Sequence, residues 1–124
     1  MILGIGIDWL DARRVERELL RHDWSLDDGI FTAAEIRHCS AARHPARWFA
    51  VCFAAKEAAL KALGLPVSDL GFFREVEVRF LHSQQQLILH KRSKARSTRM
   101  GVRHIRMALA RGHVHVGATV VLES

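Results

Sequence analysis

Proline and cysteine are scarce in this sequence, with two of each in 124 residues. So little proline beside a 49% apolar fraction excludes a disordered chain, which lacks the apolar surface needed to offset the entropy of ordering its backbone. Cys39 and Cys52 lack the spacing of a metal knuckle; a cytosolic setting favours free thiols, expected here as buried small hydrophobes. No apolar run approaches the roughly twenty residues that span a bilayer, and the N-terminus lacks the basic stretch, apolar core and small-residue site of a signal peptide. Both absences point to a cytoplasmic location with no membrane association. Acidic residues are also in the minority: 13 Asp and Glu against 19 Lys and Arg give a net charge of +6. That charge attracts an anion, whether nucleic acid, a phosphorylated small molecule or an acidic protein. Nucleic acid is the least supported of the three, because no basic motif is interleaved with aromatic residues for stacking on bases. The length suits a single domain over residues 1–124.

What is present is strong periodicity. MILGIGID alternates with period two, placing Leu3, Ile5 and Ile7 on one strand face and Gly4, Gly6 and Asp8 on the other. Glycines weaken a strand unless a neighbouring element or a ligand comes close there, and both explanations stand open. Asp8 ends the run as either a helix cap or a site residue. Asp11 to about His22 has helical spacing, with Ala12, Val15 and Leu19 on one side and Arg13, Arg14, Arg17 and Arg21 largely on the other. Thr32 and Glu35 form a capping-box pattern that starts a helix near residue 33. Pro45 suits the first turn of a long helix that ends at Gly64.

After it, LPVSDLGF reads as a loop, Val76 to Phe80 as a strand and Gln86 to His90 as its antiparallel partner. Lys91 to Arg99 is a basic segment, helix or loop. Val102 to Ala110 and Val114 to Leu122 form a hairpin that closes the sheet. His113 and His115 share a face of its last strand but lack a third ligand, which makes a metal site there a weak reading.

The long helix carries FAAKEAALKALG, Phe53 to Gly64. Glu57 and Lys61 are four apart, in the orientation of a stabilising surface pair, and Lys56 points elsewhere; a lone lysine on a helix is usually solvated, and its role stays open. A second carboxylate, Asp8, at the end of a glycine-bearing strand opens the alternative of a site. MILGIGID, FAAKEAALKALG and FREVEV, in this order and spacing, resemble the holo-acyl-carrier-protein synthases of the 4'-phosphopantetheinyl transferase superfamily. The resemblance covers the N-terminal two-thirds of the chain and fades after about Phe80.

The resemblance implies an α+β fold, a small antiparallel sheet packed against a long helix, assembled as a homotrimer with an active site at each subunit interface. It implies an enzyme of fatty acid and lipid metabolism that transfers 4'-phosphopantetheine from coenzyme A to a serine of an apo acyl carrier protein, releasing adenosine 3',5'-bisphosphate. Asp8 and Glu57 match the family's ligands for Mg²⁺, a hard cation that takes carboxylate, phosphate and water oxygens. Lys61 matches a lysine that contacts phosphate or accepts the serine proton, the alternative base being a water molecule. Asp8, Glu57 and Lys61 are thus the implied catalytic set. Gly64 and Arg111 join Lys61 in binding coenzyme A, and Arg14 and Arg21 match positions that dock the acidic carrier.

Three departures accompany the match. Cys52 stands where the family usually carries an arginine, Ala108-Leu109-Ala110-Arg111 where it carries a Ser-x-Ser-His run, and Pro66 where a second glycine is usual. They leave open a relative that binds carrier protein or coenzyme A without catalysis.

Overall fold

In the computed structural model, which describes residues 1–22 and 29–124, ten elements follow in order. They are β1 (Ile2–Asp11), α1 (Ala12–His22), α2 (Ala33–Ala41), α3 (Pro45–Leu63), α4 (Gly71–Arg74), β2 (Val76–Phe80), β3 (Gln85–Leu89), α5 (Lys91–Met100), β4 (His104–Arg111) and β5 (His115–Glu123). The α+β class is as expected, with one correction: the strands form two sheets. β5 lies between β1 and β4 in an antiparallel sheet, and β2 and β3 pair separately. The register sets Asp8 opposite Ala118 and Ala118 opposite Leu109.

α3 is the core of the molecule. Its alanines at 50, 54, 55, 58, 59 and 62 are all buried, and Val116, Val120 and Leu122 of β5 face them. Small side chains let the helix settle directly onto the backbone of β1. A Cβ on Gly6 would meet the Ala58 carbonyl oxygen at 1.7 Å, and one on Gly4 the Ala62 oxygen at 2.2 Å. The two strand glycines therefore serve close packing of a neighbouring element.

Asp8 is not a helix cap. β1 runs on to Asp11, whose Oδ1 accepts the Arg13 backbone N–H at 2.9 Å and whose carboxylate also receives the Arg13 guanidinium. Lys91–Met100 is a helix, closed by Gly101 at φ 84°. Because that cap takes up the residues after Met100, β4 starts at His104 instead of Val102, and a turn at Gly112 to Val114 leads into β5. α4 begins inside the stretch read as a loop.

Lys56, whose role the sequence leaves open, departs from the usual solvated helical lysine: it is fully buried. The Thr32–Glu35 capping box forms with both halves present, but Glu35 points inward and is also fully buried. Its two oxygens accept the N–H groups of Thr32 at 2.8 Å and Val78 at 2.7 Å. Lys56 Nζ meets this anion at 2.7 Å and donates to the carbonyls of Phe73 at 2.8 Å and Val76 at 2.6 Å. All three ammonium protons thus have acceptors, and α2, α3 and the entry to β2 are tied at one point. Cys39 and Cys52 are buried free thiols with sulfurs 3.6 Å apart. Their mutual hydrogen bond and burial push the Cys52 thiol well above its ordinary range. Among the described residues, no helix is long and apolar enough to cross a membrane.

Candidate active site

The alternation that turns Gly4 and Gly6 toward α3 also turns Asp8 that way. Ala58 and Ala62 touch those glycines, so Glu57 and Lys61, one residue before each, lie together along the adjoining edge of the helix. The close packing of β1 on α3 thereby delivers three charged side chains to one place. Two of them, Asp8 and Glu57, line a cleft of about 580 Å³ together with Leu10, Arg14, Glu18 and Phe53.

Lys61 turns to Asp8. Its Nζ lies 3.3 Å from Asp8 Oδ1 and donates to the Ile7 carbonyl at 3.4 Å. The Lys61 side chain is 43% exposed and that of Asp8 only 10%. The other Asp8 oxygen, Oδ2, is buried without a hydrogen-bond partner. Burial, then the adjacent Asp8 carboxylate, raise the Glu57 pKa from 4.5 to about 7, against the opposing pull of Lys61 and Arg14. Two crowded carboxylates, one with a buried oxygen left unsatisfied, form a hard-oxygen donor set suited to a divalent cation such as Mg²⁺. Among the described residues, no group of three or more His, Cys, Asp or Glu side chains could hold a metal. Asp8 and Glu57 would thus supply two ligands, the remainder coming from substrate and water, and His113 and His115 form no such site.

Arg14 lines the same cleft, and Arg21, two helical turns further on, is exposed. Gly64 ends α3 three residues after Lys61, in the left-handed conformation at φ 68° that glycine adopts without strain. Arg111 stands apart. Its guanidinium lies 4.1 Å from the ring centre of Trp48, which precedes Glu57 by nine residues, about 13.5 Å along the helix. Trp48 in turn packs edge-on against Phe80 and His38, which stack on each other at 3.9 Å. No local sequence signal marks this aromatic platform. Phe53 and Glu18 were also missed as lining residues, although each is four positions from a recognised one, Glu57 and Arg14, which is the spacing of neighbours on one helix face.

The family model described as the 4'-phosphopantetheinyl transferase superfamily matches residues 4–118. The chain is 34% identical to a holo-[acyl-carrier-protein] synthase of Moorella thermoacetica over 99% of its own length and 95% of that protein's. It is 37% identical to one of Maridesulfovibrio salexigens, over 99% of both chains. In three dimensions it resembles the crystal structure of holo-[acyl-carrier-protein] synthase from Neisseria meningitidis, with a TM-score of 0.85, 25% identity and full coverage of both chains. It also resembles the Bacillus anthracis synthase solved in complex with CoA (3',5'-ADP), with a TM-score of 0.79, 28% identity, and coverage of 100% of this chain and 98% of that one. Sequence match, shared architecture and the placing of Asp8 beside the FAAKEAALKALG helix agree, and the chain belongs to the holo-acyl-carrier-protein synthases of the 4'-phosphopantetheinyl transferase superfamily.

Proposed function

We propose that this chain, acting as one domain in the cytoplasm, transfers 4'-phosphopantetheine from coenzyme A to a serine hydroxyl of an acidic apo acyl carrier protein. The observation that carries this reading is the meeting of Asp8 and Glu57 in one cleft, with Lys61 paired to Asp8 beside it. Asp8 and Glu57 are the residues that would hold Mg²⁺. Bound there, the ion would neutralise charge on the pyrophosphate of coenzyme A. Lys61, half-exposed and anchored on Asp8, is placed to offer its ammonium to a phosphate oxygen. It accepts the serine proton only if it first loses its own, so a water molecule is the competing base. Arg14 and Arg21 present positive charge to the carrier, which raises the encounter rate more than the final affinity.

Coenzyme A binding by Arg111 needs a second copy of the chain, because within one copy Trp48 holds this side chain away from Lys61. Ile5, Ile7 and Trp9 on the outer face of β1 are 54%, 54% and 62% exposed, an apolar strip suited to burial between subunits. These two features support a homotrimer with interfacial sites. Ile7→Lys places a charge in that strip and is expected to shift the mass found by light scattering from trimer to monomer. A wild-type protein that is monomeric at the assay concentration would contradict the assembly.

The transfer itself is tested by mass spectrometry. Apo carrier incubated with coenzyme A, Mg²⁺ and the enzyme is expected to gain the phosphopantetheine mass, and with Asp8→Ala it is expected to gain none. A second reading rests on Cys52, which is buried against Cys39 and offers no phosphate contact where the family has an arginine. If several carriers remain unmodified while an authentic synthase converts them in parallel, the chain is a binding relative and the catalytic reading fails.

A further inference from the structure

The side of α1 turned away from the carboxylate cleft borders a second depression, of about 340 Å³. α1 contributes Arg13 and Glu16, the entry to α3 contributes Arg43, His44 and Arg47, and the β4–β5 turn contributes His113. The charges there are unevenly matched. Arg13 is engaged by Asp11 and Glu16 is the one acid among the lining residues, whereas Arg43 and Arg47 make no ion pair with any described residue. Arg47 is half-buried, and a partly desolvated guanidinium without a counter-charge favours an anion arriving from outside.

The two depressions are joined by a band of arginines. At 3.6 residues per turn, Arg13, Arg17, Arg21 and Arg14 fall within an arc of about 100° on α1, and all four are exposed. Glu16 and Glu18 lie outside the two edges of that arc. Arginines therefore extend from Arg43 and Arg47, past Glu16 and the Asp11-paired Arg13, across α1 to Arg14 at the cleft that Asp8 and Glu57 line.

Resting on the proposed transfer to an acidic carrier, we infer that Arg43 and Arg47 form the far half of the carrier dock. The acidic surface of the partner straddles α1, meeting Arg14 and Arg21 on one flank and Arg43 and Arg47 on the other while its serine faces the cleft. Several shallow charge contacts spread over one helix orient the partner and speed its encounter.

Steady-state kinetics with apo carrier and coenzyme A varied separately test this, using the wild type, Arg43→Glu and the double variant Arg43→Gln/Arg47→Gln. Each variant is expected to raise KM for the carrier roughly 3- to 10-fold at low ionic strength and less in high salt, since exposed pairs are individually weak and screened. The KM for coenzyme A and kcat are expected to stay unchanged. Arg43 is exposed, so Arg43→Glu keeps the fold even if the double variant loses it, and circular dichroism checks both. An unchanged carrier KM in folded Arg43→Glu overturns the inference while leaving the transferase reading intact. A rise in the coenzyme A KM instead overturns it in favour of a nucleotide-phosphate subsite. Should the wild type modify no carrier, the transferase reading itself fails. Fluorescence anisotropy of labelled apo carrier then decides the dock alone, equal affinities for wild type and Arg43→Glu overturning it.

Discussion

Glu57→Gln is expected to slow carrier modification by about 10²- to 10³-fold, the loss typical of removing one group that stabilises charge in a transition state. The same substitution is expected to stabilise the metal-free protein at neutral and higher pH. Glu57 is held partly buried beside Asp8, which raises its pKa to about 7 in the native state from an ordinary 4.5. Between those two values the folded protein keeps a proton that the unfolded chain has lost, so stability falls as pH rises through that window. Below it, both states are protonated and the cost vanishes. Allowing for solvent screening at this half-exposed site, the gain from glutamine above about pH 7 is roughly 1 kcal/mol. Denaturant melts from pH 4 to 8 in EDTA would show the two curves diverging upward from about pH 4.5. Added Mg²⁺ is expected to stabilise the wild type and leave the variant unchanged. A glutamine variant with full activity would remove Glu57 from the mechanism.

Lys56→Met carries the largest expected effect on stability. Its ammonium satisfies the Glu35 carboxylate and two backbone carbonyls in a fully buried position. Methionine fills the volume but leaves Glu35 as an uncompensated buried charge. Breaking a buried pair from one side costs about 3–5 kcal/mol, which corresponds to a fall of roughly 10–20 °C in the unfolding midpoint. In the double variant Glu35→Gln/Lys56→Met no charge is left stranded, and glutamine retains one oxygen for Thr32 or Val78. The double variant is therefore expected to recover at least half of the loss, because the penalty lies in the unpaired charge more than in the missing bond. Equal instability of the single and double variants would show that the carbonyls of Phe73 and Val76, not Glu35, are what Lys56 supports.

These residues also mark how far the sequence could be read. The amphipathic α1, the capping box of α2, the Pro45-to-Gly64 span of α3 and the alternation of β1 are local patterns, set by helical and strand periodicity and by the chemistry of chain ends. They were legible because the residues that cause them are neighbours in the chain. Asp8 and Glu57 were legible as a pair only through resemblance, since no spacing rule links two residues so far apart.

The role of Lys56 was not legible for a related reason. A lysine on a helix is ordinarily solvated, and its burial depends on Glu35 turning inward from a different helix. Separation of β2 and β3 from the three-stranded sheet was likewise invisible, because a hairpin pattern specifies a partner strand but not the sheet that the pair joins. The long-range position of Arg111, stacked on Trp48, followed from the crossing of α3 over β4.

By itself the sequence determined the elements, the alanine and glycine surfaces that allow α3 to lie on β1, and the kinds of charge available for chemistry. Tertiary structure alone decided which charges meet. Packing at Gly4 and Gly6 brings the edge of α3 beside Asp8 and turns Lys61 from its helical neighbour Glu57 toward that carboxylate. The same packing closes Lys56 into the core on the other side of the helix. The physical reason is that charge pairing acts over a few ångströms of space, whereas periodicity acts over a few residues of chain, and only the packing of distant segments connects the two.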